Sequence, residues 1–187
     1  MRKIKGFKLT LRPHEVKRRA KKSRIDLEAA GLTDVPLAKF LDAASKTVVP
    51  GVIFETFGHP DPDQAVLSSI PGLAYSVILA TLHESFKTLV VSHPSVPQPL
   101  WNVLQEHALD EAVRFASGLI ADEAEKDACE LSPLTTLHDP VALEAALRKL
   151  DGEAKLGVSL MDGKLSPVAS LAVSQSWLSK SKVKGRK

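Results

Sequence analysis

Residues 99–128 read PLWNVLQEHALDEAVRFASGLIADEAEKDA, and within them Leu100, Leu104, Ala108, Val113, Ala116, Ile120 and Ala124 recur at helical spacing. One apolar face of that length predicts a long helix from Pro99 roughly to Ala128, despite Gly118. Upstream, Leu73 to Leu82 is an unbroken apolar-rich run, which predicts a buried strand. Thr47 to Phe57 is rich in β-branched and aromatic residues and is interrupted by Pro50-Gly51, predicting a kinked or bulged strand. The loop Gly58-His59-Pro60-Asp61-Pro62-Asp63 follows, with a short helix over Gln64 to Ser69.

Toward the N-terminus, Ile4 to Leu11 alternates, with Phe7, Leu9 and Leu11 on one side, the period of a half-buried strand. Pro13 is placed as the first residue of a helix running toward Ala30, with Gly31 as its stop. Asp34 is the expected cap of a second helix carrying Leu37, Phe40, Leu41 and Ala44. Beyond the long helix, Asp139-Pro140 starts another helix that ends at Asp151-Gly152. Leu156 to Met161 and Val168 to Trp177 alternate like strands around the turn dipeptide Asp162-Gly163, which predicts a hairpin or loop-joined pair.

Without a regular βα repeat the class is α+β, a twisted, mainly antiparallel sheet flanked by helices. A chain of 187 residues with 44% hydrophobic content is sized for one domain, placed at 1–178, followed by a basic disordered tail at 179–187. The single cysteine, Cys129, permits no intramolecular disulfide, and Met1 to Lys22 lacks the apolar stretch of a secretory signal; a cytoplasmic location and no membrane span are expected.

The net charge of +3 hides an asymmetry. Residues 1–25 hold eleven Lys or Arg against Glu15 alone, residues 180–187 hold five more, and the body between them carries nine basic and 21 acidic groups. Such ends either dock on the acidic body, or stay solvated, or meet nucleic acid or an acidic partner.

The sequence contains no GxGxxG, GxxxxGK[ST], HExxH, GxSxG or CxxC, which disfavours the corresponding nucleotide, zinc and nucleophile chemistries. His59, Asp61 and Asp63 share one loop, but the prolines around them explain the segment as a rigid turn, and no catalytic residue or metal ligand is assigned. His83, His93 and His107 lie at no ligand spacing. His107 is expected on the polar side of the long helix, near Glu111, with Asp110, Asp122 and Glu123 on exposed positions of the same helix.

Three ordered segments over roughly residues 80–175 carry a resemblance. Ala80-Thr81-Leu82 stands where one family has an Ala-Thr-Leu-Gly strand end; Leu109-Asp110 through Ala121-Asp122 is similar to its LDxxxS…AD helix. Leu156-Gly157-Val158-Ser159-Leu160 followed by Pro167-Val168-Ala169-Ser170 is similar to its IGVxL…PxxSvSG ending. The chain thereby resembles the activation domain of cobalamin-dependent methionine synthase and its stand-alone bacterial relatives. In that family the domain docks over a cobalamin carried by a corrinoid protein, for reductive methylation from S-adenosylmethionine. The resemblance implies a cobalamin-bearing partner and a ligand site lined by Ser132, Pro133, Pro167 and Ser170. The family's Arg-x-x-x-Gly-Tyr loop reads Glu130-Leu131-Ser132-Pro133-Leu134-Thr135-Thr136-Leu137-His138 here, with neither the Arg nor the Gly-Tyr. That departure implies altered or lost S-adenosylmethionine binding.

Overall fold

In the computed structural model, which describes residues 1–68 and 70–180, the run from Tyr75 to Leu82 is fully buried at every position. A strand covered on both faces has no polar side to show, so its sequence is continuous rather than alternating. This strand, β3 (Ala74–Thr81), is the centre of the sheet. It pairs antiparallel with β2 (Gly51–Gly58) on one side and with β8 (Ser170–Ser179) on the other. The edge strand β1 (Arg2–Lys5) pairs with β2, while β4 (Cys129–Leu131) and β5 (Thr135–Thr136) both pair with β8. The order is β1-β2-β3-β8-β4, antiparallel throughout, and the α+β class stands.

Helices cover both faces. On the first lie α1 (Pro13–Lys22), α2 (Asp34–Thr47), α4 (His83–Ser92) and α5 (Gln98–Lys126), packed with Ile78, Ala80, Val173 and Trp177 of the sheet. At 1.5 Å per residue, α5 extends about 43 Å, enough to span the sheet. On the second face α3 (Gln64–Leu67), α6 (Pro140–Leu150), α7 (Gly152–Leu156) and the hairpin β6 (Ser159–Met161)–β7 (Lys164–Ser166) enclose Ile53, Tyr75, Val77, Leu79 and Ala172. The α6 start is as read: Asp139 accepts the Val141 N–H at 2.7 Å with Pro140 in the first turn, and Asp151 closes the helix in the left-handed conformation.

Several elements differ from the sequence reading. The first strand ends at Lys5, because Gly6 turns the chain at φ +67°; Phe7 then stacks on Phe115 of α5, and Leu9 is buried, without strand pairing. The first helix stops at Lys22, with Arg24 left-handed at φ +56°, eight residues before the expected end. Thr33, not Asp34, holds the cap position of α2. Helix α4 was not expected. Asp162-Gly163 closes the short pair β6–β7, both turn residues having positive φ as a two-residue hairpin requires. The strand after it, β8, leaves that hairpin and enters the main sheet beside β3. Ser179 ends β8 and the Lys180 N–H reaches Ala128 O, so order extends past residue 178; the rest of the expected tail lies outside the described residues.

Among the described residues no helix is long and apolar enough to cross a membrane.

Candidate functional site

Thr81 is the last residue of β3 and stands opposite Ser170, the first of β8. Its buried Oγ1 is a junction: it accepts from Ser170 Oγ at 2.9 Å and from the His83 N–H at 3.1 Å, and donates to Ala169 O at 3.3 Å. The Leu82 N–H also bonds Ala169 O at 2.9 Å. These bonds fix the chain before β8 against the start of α4. From α5, Gln105 reaches the same chain, donating to Val168 O at 3.3 Å.

Between these elements a cleft of about 560 Å³ opens, lined by His83, Glu84, Phe86, Lys87 and Val90 of α4, Gln98 and Gln105 of α5, and Gly157, Ser159, Ser166 and Pro167–Ala169. A volume of that size is in the range of small-molecule sites. Val168, 81% exposed, stands between it and a smaller hollow of about 350 Å³ that includes Thr136, His138, Leu143, Ser170 and Ala172.

His83 is the unusual residue of the cleft. Its backbone is left-handed, at φ +50°, and its partly buried ring turns under β2 against Gly51. A β-carbon on Gly51 would lie 2.5 Å from His83 Nε2, so the ring occupies space that only a glycine leaves. Among the described residues that buried Nε2 has no hydrogen-bond partner. Burial, then the nearby charges of Lys5 and Lys3, hold its pKa below the usual histidine value.

The four residues expected to line one site fall into two places. Pro167 lines the cleft, and Ser170 touches the adjoining hollow while bonded to Thr81. Ser132 is buried instead against the far part of β8, where its Oγ accepts the Ser176 N–H at 2.8 Å, and Pro133 beside it is exposed. Six residues of strand, about 20 Å, separate Ser176 from Ser170. No family model matches the chain and no curated protein matches it.

Two other expectations change or sharpen. His107 is not on a solvated face: it is 1% exposed, its Nε2 accepting the Arg12 N–H at 3.3 Å. It lies three residues after Leu104, inside the apolar stripe, which is wide because α1 crosses α5 there. Burial, and then Arg19, keep its pKa below normal. Asp61 and Asp63 are bound up in ion pairs, Asp61 with Lys149 at 2.5 Å and Asp63 with Arg148 at 2.7 Å. Among the described residues, no three or more His, Cys, Asp or Glu gather as metal ligands, and Cys129 is a buried, unpaired thiol in β4.

Sequence reasoning missed His83, because neither spacing nor a motif marks it; its place depends on a left-handed backbone that a histidine seldom adopts.

Proposed function

We propose that this chain is a stand-alone relative of the methionine synthase activation domain that docks on a corrinoid protein and assists its reductive reactivation. The observation that carries the reading is convergence. Gly157, Ser159 and Pro167–Ala169 line one cleft, and Thr81 and Leu82 bond Ala169 and Ser170 at its border, so segments of the resemblance scattered over ninety residues come together, bridged by Gln105 from the helix that holds the remaining segment. The left-handed His83 at the family's glycine position agrees with it.

In this reading the cobalamin belongs to the partner and supplies the redox and methyl chemistry. The chain contributes position and exclusion of water. The exposed Val168 at the cleft mouth is an apolar contact for a docked face.

The chain's own residues do not fit S-adenosylmethionine at the family's loop. The stretch from Glu130 to His138 holds no arginine, and the β-carbons of Leu134, Thr135 and Thr136 occupy the stretch where a glycine allows close backbone approach. Loss of a charged bidentate contact of roughly 1.5–3 kcal/mol corresponds to roughly ten- to a hundredfold weaker binding. Titration calorimetry with S-adenosylmethionine is expected to show weak or no binding. Glu130→Arg is the restoring variant, because Leu131 packs against the core. Tight binding by the unmodified chain would place the ligand loop elsewhere.

A second reading, a non-enzymatic nucleic-acid or acidic-partner binder, is favoured by one observation. Lys8, Arg12, Lys21, Lys22 and Arg24 are exposed, and among the described residues their side chains form no ion pair.

A further inference from the structure

We infer that the His83 end of the cleft is an anion-binding subsite, taking the phosphate or carboxylate end of a small molecule whose less polar body lies along Phe86, Val90 and Pro167. The inference concerns this chain alone and does not rest on the corrinoid reading.

Three features converge on it. First, His83 is held at a double cost. A left-handed backbone is unfavourable for a non-glycine residue, and a buried polar atom without a partner is unfavourable as well. Residues that combine such features cluster at binding and active sites. Second, the charge around the ring is one-sided. Lys3 and Lys5 stand opposite Ile53 and Gly51 across the β1–β2 ladder, and directly opposed residues share a sheet face, so both lysines lie on the face where the ring is tucked. Neither has an ion-pair partner among the described residues. Third, among the described residues the charges that bear on the ring are Lys5 and Lys3, with no acid beside them. Glu84 is at the rim, 75% exposed, and is 3.7 Å from Lys87; on α7, Lys155 contacts Met1 Sδ and Asp151. The groups lining the cleft from α5 and the hairpin, Gln98, Gln105, Ser159 and Ser166, are neutral donors.

Without a bound anion the neutral ring is favoured, first by burial and then by the neighbouring charges of Lys5 and Lys3. An anion beside the ring reverses that balance, because its charge favours the imidazolium. Binding and proton uptake are therefore linked, and the anion binds more tightly as pH falls.

The experiment follows the His83 ring resonances by NMR in the full chain, titrated with sulfate or with acetate between pH 7.5 and 6. Sulfate keeps its charge over this range and stands for a phosphate; acetate stands for a carboxylate. A saturable shift is expected, with the His83 pKa raised by about one unit, equivalent to roughly tenfold tighter binding to the protonated ring. Whichever probe binds more tightly names the ligand class. A Lys3→Ala/Lys5→Ala variant is expected to lose at least fivefold in affinity. His83→Gly should remain folded, since glycine suits the backbone there, and should lose the protonation-linked part of the affinity. The inference is overturned if chloride at matched ionic strength moves the resonances equally, or if the lysine variant binds as well as the parent.

Discussion

Ser170 Oγ donates to Thr81 Oγ1 at 2.9 Å, joining the end of β3 to the start of β8 across 89 residues of sequence. The same Thr81 oxygen receives the His83 N–H, so one side chain sets both the strand register at this end and the entry into α4. Thr81→Val keeps the shape and leaves two part-buried donors without this acceptor, which is expected to cost about 1–2 kcal/mol; Ser170→Ala removes one donor and is expected to cost about 0.5–1 kcal/mol. For a chain of this size each kcal/mol is worth roughly 2–4 °C in melting temperature. Thermal unfolding of the two variants checks the ranking, and a smaller loss for Thr81→Val than for Ser170→Ala would contradict it.

His107 makes stability depend on pH. Its folded pKa is depressed, so below about 6.5 the unfolded chain takes up a proton that the folded chain refuses. Stability is therefore expected to fall as pH drops from about 6.5 toward the folded value, by at most about 1.4 kcal/mol per unit for this histidine, and to be flat in this contribution above it. His83 acts in the same direction. Urea unfolding at pH 7.5 and 5.5 measures the difference. His107→Gln, which can still accept from the Arg12 N–H, is expected to flatten the slope; an unchanged slope would remove His107 as its source.

The basic N-terminal region divides into docked and free cations. Arg2 pairs with Glu123, the terminal amine with Glu55, and Arg19 with Asp110 at 2.6 Å. Arg19 is only 22% exposed, so Arg19→Ala is expected to cost about 1 kcal/mol, whereas Arg18→Ala should leave the melting temperature unchanged. The free cations are the ones that would meet phosphates. Fluorescence anisotropy with a single-stranded oligonucleotide is expected, under the second reading, to give a salt slope of roughly −0.7 per neutralised phosphate. Lys21→Ala/Lys22→Ala should reduce that slope, and absence of binding at low salt removes the second reading.

Much of the fold was legible because hydrophobic period and helix punctuation act locally. The stripe from Leu100 to Ala124 and the Asp139-Pro140 start each appear where expected. Pairing was less legible. Asp162-Gly163 correctly signals a tight hairpin, but nothing local says that the long strand after it bonds to β3 rather than to the strand before the turn; that choice is made by burial on both faces of Ala172 and Val173. Helix α4 was missed because only Phe86 and Leu89 of its ten residues are buried. His107 was misplaced because the stripe of α5 widens under α1, an effect of tertiary packing. Of the four candidate site residues, Pro167 is in the cleft and Ser170 at its border, whereas Ser132 and Pro133 are separated from them along β8. The His83 site depended on a left-handed backbone and on a missing β-carbon in another strand, neither of which has a periodic signature.

Equilibrium binding between this chain and a cobalamin-loaded corrinoid protein of the same source, followed through the cob(II)alamin absorbance, tests the central proposal most directly. The account predicts a saturable complex of about micromolar dissociation constant or tighter, a spectral change in the bound cobalamin, and roughly tenfold weakening by Val168→Asp at the cleft mouth. Failure of every corrinoid protein of that source to associate, or an association indifferent to both the cobalamin and Val168, would contradict it.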